Sequence, residues 1–574
     1  MARPAIGIDL GTTNSVIALF DGTGVRILPN RLGGLMTPSV VALDPDGDGL
    51  LTGRPAREIL ALAPERAAAT FKRGIGGDRE YKLNESAYNA VELSACVLRS
   101  LREDASAALG TEVEACVVTV PAYFNEEQRF ATIKAAELAG LEVLRVLNEP
   151  TAAAMAYGIH ERDRDAEILV FDLGGGTFDV CVMELFEGTL QVRSTAGESN
   201  LGGEDFTRRL VSVVLHEVGL SFERAEMVDP AALGLLAKRC ELAKRKLSES
   251  EQVDIVVPPF EGLLDRPVPI PISRDEAEEA WKPLLRRLLA PTKAALRAAR
   301  LTKPLDEVIL VGGATRMPCV RAFVQEQFER APAESVDADL AVAHGAAIQA
   351  ALSLRDAAVE DIVVTDVLSH SLGVEVVQEL AGRIVPGYFS PVIHRNTVIP
   401  TVRTDLFSTI HANQTVLDLE VYEGESRRVE ENRHMGSLRV KGIPKGPPGQ
   451  GVEVSFTYDV NGILEVEARV AGTDRFVRKI FTRDSRTLSE DALKRAAARI
   501  RKLKNDPLKK IEYRDLMLRA ELLWKDLPPE GRSMLAGAIG DFESAIAGRN
   551  PDELRTAYAT LFEVCEQIDG GDRW

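Results

Sequence analysis

The chain has 574 residues, a formal net charge of −18, 45% hydrophobic residues and 27% charged residues. This length is too great for one hydrophobic core, so we expect several domains, and the acidic balance argues against a nucleic-acid partner, which would require a basic surface. No apolar run approaches the roughly 18 residues of a membrane span and the N-terminus shows no signal-peptide pattern, so we expect no membrane partner and a cytoplasmic location.

The first third of the chain contains one local pattern twice. Residues 5–18 read AIGIDLGTTNSVIA and residues 168–182 read ILVFDLGGGTFDVCV, each with an apolar run, Asp-Leu-Gly, small or Thr residues, and a second apolar run. This pattern predicts a β-hairpin whose tight turn depends on glycine. Two such hairpins about 160 residues apart indicate a duplicated α/β domain with two lobes and a cleft between them.

Further elements of this α/β part follow from local patterns. A strand that runs into glycines is predicted at residues 307–318, EVILVGGATRMP, in the second lobe. A helix is predicted over residues 126–140, which end on glycine as a helix C-terminus should, and another over residues 235–247.

The character of the chain changes after a short segment at residues 360–367. From Leu372 to about Phe481 apolar and polar residues alternate, as they do in strands with one buried face. The pair Asn461-Gly462 predicts a hairpin closed by a type I′ turn.

Beyond Thr487 helical patterns return. Ser489 is the predicted N-cap, and Pro507 and the pair Pro528-Pro529 interrupt the helices. The predicted architecture is therefore a large α/β body, a short linker, an all-β domain and a modest helical tail.

The two hairpins also carry the chemistry. The chain has no GxxxxGK[ST] loop and no GxGxxG after a strand, but glycine-rich turns bring backbone N–H groups close to phosphate oxygens. Thr12, Thr13 and Thr177 would add hydroxyl donors. Asp9 and Asp172 would face a phosphate only across a divalent cation, so Mg²⁺ is implied. One such turn is often only a turn, whereas two matched copies indicate a nucleotide site.

Several motifs resemble the 70-kDa heat-shock chaperone family over nearly the whole chain. They are IGIDLGTTNS, VTVPAYFNEEQR, GLEVLRVLNEPTAAAMAYG, VFDLGGGTFDV, LGGEDF, ILVGGATRMP and HGAAIQAAL, in the order of the family. A valine-threonine linker and a short tail are most similar to the bacterial branch called heat shock cognate protein C. The resemblance implies an actin-like two-lobed α/β ATPase domain at residues 1–358, a linker at 359–371, a β-sandwich peptide-binding domain at 372–484 and a short helical lid at 485–574.

The resemblance implies a set of nucleotide-site residues. The catalytic set is Asp9, Lys72, Glu149, Asp172 and Thr177, with Mg²⁺ held by Asp9 and Asp172 through water. The residues implied to bind ATP or ADP are Gly11, Thr12, Thr13, Asn14, Gly174, Gly175, Gly176, Gly202, Gly203, Glu204, Glu241, Lys244, Arg245, Ser248, Gly312, Gly313, Arg316 and Asp339. The family has a serine where this chain has Ala314, which puts one adenine contact in doubt.

The resemblance also implies coupling and substrate residues. Pro121 and Arg129 match a switch pair, and Arg145 and Asp366 match positions that dock the linker. The peptide channel would be lined by Leu372, Val374, Val376, Val377, Phe407, Ile410, Leu417 and Leu419. Ile410 and Leu417 are bulkier than the residues that the family often has there, which favours a narrower choice of substrate.

The function implied is that of an ATP-dependent, stress-response chaperone that hydrolyses ATP to ADP and phosphate and binds extended, unfolded polypeptide. A J-domain co-chaperone is the implied partner, and the need for a nucleotide exchange factor is left open. Other readings exist: an actin-fold small-molecule kinase, a phosphatase or a filament protein would share the first domain, since fold does not settle function. None of these needs the roughly 110 alternating residues that follow the linker. The channel residues could also be simple sandwich core, and Glu241 with Arg245 an ordinary i,i+4 ion pair.

Overall fold

The computed structural model describes residues 4–43, 50–158, 165–186, 189–301, 303–333, 337–354, 363–380, 383–459, 462–473, 475–481, 516, 520, 529–548 and 551–569. The predictions at Ser489, Pro507 and Pro528 lie outside these residues. No helix within the described part is long and apolar enough to cross a membrane.

The first lobe is a mixed sheet flanked by helices. Its strands are β1 (Ala5–Asp9), β2 (Asn14–Phe20), β3 (Val25–Leu28), β4 (Thr37–Pro38), β5 (Val40–Leu43), β6 (Leu50–Thr52), β7 (Ala67–Ala69), β8 (Glu80–Leu83), β9 (Ser86–Asn89), β10 (Ala115–Val120) and β11 (Glu142–Asn148). Its helices are α1 (Arg54–Leu62), α2 (Ala90–Leu109), α3 (Glu126–Leu138) and α4 (Glu149–Gly158). The main sheet has the order β11-β10-β1-β2-β3, in which β1 and β2 form the first predicted hairpin.

The second lobe repeats the hairpin and adds longer helices. Its elements are β12 (Ala166–Leu173), β13 (Phe178–Phe186), β14 (Thr189–Glu198), α5 (Gly203–Glu217), α6 (Phe222–Val228), α7 (Pro230–Lys246), β15 (Gln252–Val257), β16 (Val268–Ser273), α8 (Arg274–Ala299), β17 (Glu307–Val311), α9 (Pro318–Phe328) and α10 (Ala341–Ser353). Strands β12 and β13 form the second predicted hairpin, and β17 runs parallel to β12.

The predicted helices are present with small changes at their ends. Helix α3 begins after Asn125, whose side chain accepts from the N–H of Gln128 in a capping box, and it ends just before Gly140, which has φ +79°. Helix α7 begins earlier than the pattern predicts because Pro230 occupies its first turn and Asp229 caps it.

A buried cluster of small residues joins the two lobes. Ala152, Ala153 and Ala154 of α4 and Ala346 and Ala350 of α10 belong to one cluster with strands from both sheets. Small side chains let these helices approach the sheets closely, so the two hairpins are held at a fixed spacing at the base of the cleft.

The linker continues the second-lobe sheet into the β-domain. Strand β18 (Val363–Val367) lies parallel to β14 and antiparallel to β21 (Val398–Ile399), so the sheet order is β17-β12-β13-β14-β18-β21. Backbone hydrogen bonds along β18 therefore connect the two domains directly.

The β-domain is a sandwich of two four-stranded sheets. Its strands are β19 (Leu372–Leu380), β20 (Arg383–Ile393), β22 (Thr401–Ser408), β23 (Val416–Glu423), β24 (Arg433–Lys441), β25 (Gly451–Tyr458), β26 (Leu464–Val470) and β27 (Phe476–Phe481). One sheet has the order β20-β19-β23-β24 and the other β22-β25-β26-β27. Two further helices, α11 (Pro529–Gly548) and α12 (Pro551–Asp569), pack against each other beyond the sandwich.

The two strands of the hairpin predicted around Asn461-Gly462 are present as β25 and β26, whose register pairs Tyr458 with Leu464. Asn461 lies outside the described residues, so the type I′ turn stays a prediction. Gly462 has φ +83°, a backbone conformation that favours glycine. On the strand side of the turn, the N–H of Asp459 donates to the carbonyl of Ile463 at 3.1 Å, and the carboxylate of Asp459 accepts from the N–H of Ile463 at 2.8 Å.

Candidate functional site

The turns of the two predicted hairpins meet at the base of the cleft. Cβ atoms built on Gly175 and Gly176 would lie 1.9 Å from Oγ1 of Thr13 and 2.5 Å from Cγ2 of Thr12, so only glycine fits at these positions. Both turns line a small polar cavity of about 90 Å³. This contact brings backbone amides from both lobes to one place, as binding of a polyphosphate requires.

A buried ion pair lies beside this cavity. Nζ of Lys72 is 2.5 Å from Oε1 of Glu149, and their side chains are 3% and 10% exposed. Lys72 is held by a single turn of 3₁₀ helix at residues 71–74, and Glu149 begins α4. Lys72 also lies 5.7 Å from the ring centroid of Phe124, which shields it from water.

Three aspartates surround the same ion pair. The pKa of each aspartate is raised, mainly by burial and next by the nearby Glu149 carboxylate. The pKa is about 7 for Asp9 and for Asp179, and it is well above its usual value for Asp172. Thr119 donates to Oδ1 of Asp9 at 3.2 Å, and the N–H of Tyr123 donates to Oδ1 of Asp179 at 3.0 Å. Four carboxyl groups therefore share one lysine, an excess of negative charge that a bound cation would relieve.

The donor set fits Mg²⁺ held largely through water. The acidic side chains offer oxygen, which Mg²⁺ prefers, but within the described ranges no three His, Cys, Asp or Glu side chains converge closely enough to hold a metal ion by themselves. Mg²⁺ commonly keeps several waters and takes its remaining ligands from phosphates. Asp9 and Asp172 both line the phosphate-sized cavity and could accept from such waters.

A second cavity of about 500 Å³ adjoins the first and has the size of a nucleoside site. Its walls include Glu241, whose carboxylate lies 2.6 Å from Nζ of Lys244 and 2.8 Å from Nε of Arg245. Burial pushes the pKa of Glu241 upward, but Lys244, Thr207 and Arg245 outweigh it and hold the pKa below its usual value. Glu241 is therefore an ionised acceptor at the cavity wall, and it is more than an exposed i,i+4 partner.

On the opposite wall Arg316 makes two ion pairs, each at 2.8 Å, with Asp337 and Asp339. Ala314 lines the same cavity, and its methyl group offers no hydrogen bond. Thr13 of the first lobe donates to Glu204 of the second at 3.3 Å, so the site is assembled from both lobes.

The two cavities bring together nearly all of the nucleotide-site residues named from the sequence. Gly176 and Gly202 are the exceptions, since they are absent from both linings: Gly176 packs against Thr12 of the first turn, and Gly202 packs against Gly175 and Gly176. The residues that line one or both cavities are Asp9, Gly11, Thr12, Thr13, Asn14, Lys72, Glu149, Asp172, Gly174, Gly175, Thr177, Gly203, Glu204, Glu241, Lys244, Arg245, Ser248, Gly312, Gly313, Arg316 and Asp339.

The sequence reasoning missed three residues of this site. Asp179 lies in the same hairpin as Asp172, and an aspartate inside an otherwise apolar strand was the available signal. Met36 lines both cavities and carried no motif. Arg73, next to Lys72, contacts the second glycine turn through Nε to the Gly176 carbonyl at 2.9 Å.

Of the four residues implied in coupling, Asp366 lies in the linker strand β18 and the other three lie in the first lobe. Arg129 donates to the amide oxygen of Asn148, and Nδ2 of Asn148 donates to Oδ2 of Asp366 at 2.7 Å. Arg145 instead donates to Gln349 at 2.8 Å, although Asp366 is near enough to affect its pKa, which burial lowers. The carbonyl of Pro121 accepts from the N–H of Phe124, at the turn before α3.

The eight predicted channel residues divide into two groups. Leu372, Val374 and Leu419 are buried inside the sandwich, as the simple core reading expects. The other five keep exposed surface, and Ile410 is 37% exposed. This second group is Val376, Val377, Phe407, Ile410 and Leu417.

Comparisons with known proteins identify the family of the chain. A family model described as Hsp70 protein matches residues 5–84 and 77–527. The chain is 40% identical over 531 residues to the protein named Chaperone protein DnaK of Thermotoga maritima, covering 91% of this chain and 86% of that one. It is 38% identical over 607 residues to the protein of the same name from Thermus thermophilus, covering 99% and 96%, and 38% identical over 572 residues to that of Thermosipho africanus, covering 98% and 92%.

Proposed function

The chain belongs to the Hsp70 family, and from that premise we propose how its residues carry out chaperone function. It is an ATP-dependent chaperone and an ATPase. Family membership gives no support to the small-molecule kinase alternative. The observation that carries the residue assignment is the meeting of the two matched glycine turns around the Lys72–Glu149 pair.

The phosphate end of the site would act by positioning and charge. Bound Mg²⁺ would supply positive charge to the phosphates, held at Asp9 and Asp172 through water. Lys72 would contact the terminal phosphate, Glu149 would orient the attacking water, and Thr177 would offer its hydroxyl. Phosphoryl transfer to water depends mainly on such alignment and electrostatic stabilisation, which the buried, low-dielectric pair is suited to provide.

The second cavity would take the nucleoside of ATP or ADP. Glu241, with its lowered pKa, would accept from ribose hydroxyls. The aliphatic part of Arg316, fixed by two aspartates, would form one face of the base pocket. Ala314 would leave one adenine contact unmade, so we expect somewhat weaker discrimination between purines than a serine would give.

We assign the first domain to the actin-like fold, residues 372–484 to peptide binding and the helical tail to a lid. Clients are unfolded or extended polypeptide, whose backbone would bond to strand edges while one apolar side chain enters a pocket. The five partly exposed residues around Ile410 are the candidate pocket. A J-domain co-chaperone, a cytoplasmic location and the heat shock cognate protein C branch stay predictions.

One experiment tests this function on the whole chain. Phosphate release is measured under single-turnover conditions in Mg²⁺ buffer with and without a hydrophobic peptide, and peptide affinity is measured with ATP and with ADP. We expect the peptide to speed hydrolysis and ATP to weaken peptide binding. A chain cut after Ala358 should keep basal hydrolysis and lose the peptide effect. Hydrolysis that is uncoupled from peptide affinity would contradict the proposal.

A further inference from the structure

Every carbonyl of the second glycine turn is held by a defined donor. The N–H of Gly203 donates to the Gly174 carbonyl and the N–H of Glu204 donates to the Gly175 carbonyl, both at 2.9 Å. The Gly176 carbonyl accepts from Nε of Arg73, also at 2.9 Å. The first two donors belong to the start of α5 in the same lobe, whereas Arg73 comes from the opposite lobe.

These bonds fix the direction of the amide groups that face the phosphates. A trans peptide is planar, so its C=O and N–H point in opposite directions. The Gly176 carbonyl shares its peptide with the N–H of Thr177, a residue that lines the smaller cavity. The bond from Arg73 therefore sets the direction of the Thr177 N–H, in a segment where glycine makes rotation of the peptide easy.

The guanidinium of Arg73 is itself fixed. Its Nη2 lies 2.5 Å from Oδ2 of Asp205, and the two side chains are 19% and 22% exposed. The same carboxylate oxygen accepts from the N–H of Gly202 at 2.9 Å, at the N-terminus of α5. A planar guanidinium can reach a carbonyl and a carboxylate at once, which a lysine ammonium at the same position cannot do with the same geometry.

We propose that Arg73 is a positioning residue for ATP hydrolysis, which links closure of the two lobes to the orientation of the Thr177 amide. Arg73 is absent from the linings of both cavities, so it acts through the glycine turn and not on the nucleotide. When the lobes separate, the Gly176 carbonyl loses its hydrogen bond from Arg73, and the direction of the Thr177 N–H is no longer fixed. Hydrolysis is thereby confined to the closed cleft. This inference rests on the proposed ATPase site.

The test separates orientation from simple clamping of the lobes. Arg73→Lys keeps a cation beside Asp205 but loses the planar fork, and Arg73→Ala removes both contacts. Asp205→Asn removes the ion pair with Arg73 but keeps an oxygen that can accept from the Gly202 N–H. Arg73 can still donate to the Gly176 carbonyl in this variant. Arg297→Ala, an exposed arginine at the end of α8, is the control. For each protein, single-turnover hydrolysis at saturating ATP and the dissociation constant of a fluorescent ADP are measured.

We expect both Arg73 variants to lower the hydrolysis rate by about tenfold to a hundredfold, the scale of one misplaced amide donor or poor alignment. Their ADP dissociation constants should change by less than about threefold. Asp205→Asn, which keeps an oxygen acceptor for the guanidinium, should lower the rate by less than Arg73→Lys does. Added guanidinium should partly restore the rate of Arg73→Ala, and a tetraalkylammonium ion should not.

Two outcomes overturn the proposal. One is a rate at saturating ATP that is unchanged in Arg73→Lys and Arg73→Ala; the other is a loss of nucleotide affinity with no loss of rate, which would make Arg73 a clamp only. Either result with an active parent protein leaves the ATPase assignment standing. An inactive parent protein would overturn the ATPase assignment and this inference together. Unfolding curves for each variant identify a folding defect, and Arg73→Lys decides if Arg73→Ala does not fold.

Discussion

The hydroxyl of Tyr458, at the end of β25, donates a hydrogen bond to Oε1 of Glu126, the first residue of α3, and so joins the β-domain to the first lobe. Glu126 is 4% exposed, and its Oε2 has no hydrogen-bond partner among the described residues. Arg129, Glu423 and Arg433 face the same carboxyl group. A carboxyl group buried in this way beside a second carboxylate favours its protonated form.

Docking of the β-domain on the first lobe is expected to weaken above neutral pH. Burial first, and Glu423 second, raise the pKa of Glu126 from 4.5 to about 8. A group whose pKa is higher in the docked state takes up a proton on docking. The favourable contribution of Glu126 to the free energy of docking is therefore full below pH 4.5, and it is lost as the pH rises through about 8. These values predict about a tenfold fall in the docking constant between about pH 7 and pH 9. The docking constant is measured at each pH by energy transfer between a dye on the first lobe and a dye on the β-domain, at saturating ATP.

The matched control for this prediction is Glu126→Gln, which keeps an acceptor for Tyr458 but does not titrate. Its docking should be nearly independent of pH over the same interval. Tyr458 does not interfere because its pKa is raised well above 10. Burial lowers the pKa of His370 at the same interface, so protonation of His370 opposes docking only in acid. Equal pH slopes in the parent and the variant would show that Glu126 is not the group responsible.

Loss of the Lys72 cation is expected to reduce both hydrolysis and stability. Lys72→Met removes charge from the transition state, for which we expect a fall in rate of about a hundredfold or more. It also leaves Glu149 buried without its partner, which costs about 3–5 kcal/mol in the nucleotide-free protein. The double variant Lys72→Met, Glu149→Gln should recover much of the stability and none of the rate. Urea unfolding and single-turnover hydrolysis measure the two effects, with exposed Lys82→Met as control. A double variant no more stable than the single one would contradict the pairing.

Local patterns in the sequence were sufficient for the elements that form this site. The two Asp-Leu-Gly turns, the strand before Gly312 and the helix that begins after Asn125 each follow from residues within one turn or strand. The doubled motif predicts a phosphate site, whereas the roles of individual residues are implied by the family resemblance and stay predictions. The alternating strands on either side of Asn461-Gly462 likewise follow from a local period of two.

Contacts between distant segments could not be read in this way. Arg73 and the Gly176 carbonyl are 103 residues apart in sequence, and Tyr458 and Glu126 are 332 apart. Neither pair belongs to a periodic pattern, since each depends on how two separately folded bodies meet. The sequence also could not show whether Leu372 is buried in the sandwich core or lines the channel. Either role requires an apolar side chain on the inner face of a strand.

Smaller side chains at the candidate peptide pocket are expected to widen substrate choice. Ile410 is 37% exposed and Leu417 packs at the edge of the sandwich core, so Ile410→Ala and Leu417→Val should enlarge the pocket with little loss of stability at the exposed position. Binding to an array of peptides should then extend to bulkier central residues. Leu406→Ala, which alters a 69% exposed leucine on β22, is the control. An unchanged peptide profile in the double variant would contradict a role for these residues in selection.

Removal of the linker carboxylate is expected to uncouple the two domains. Asp366 is 5% exposed, accepts from Nδ2 of Asn148 at 2.7 Å, and Asn148 in turn accepts from Arg129. Asp366→Ala leaves the buried Nδ2 of Asn148 without this acceptor, at a cost of about 1–3 kcal/mol, and that penalty falls only on the state in which β18 is docked. ATP should therefore speed peptide release at least about tenfold less in this variant, while ATP affinity stays close to that of the parent. The neighbouring Thr365→Val is the matched control, because Oγ1 of Thr365 is buried and has no partner in the described part of the chain. If both variants lose coupling equally, strand pairing along β18 transmits the signal and the Asn148–Asp366 bond does not.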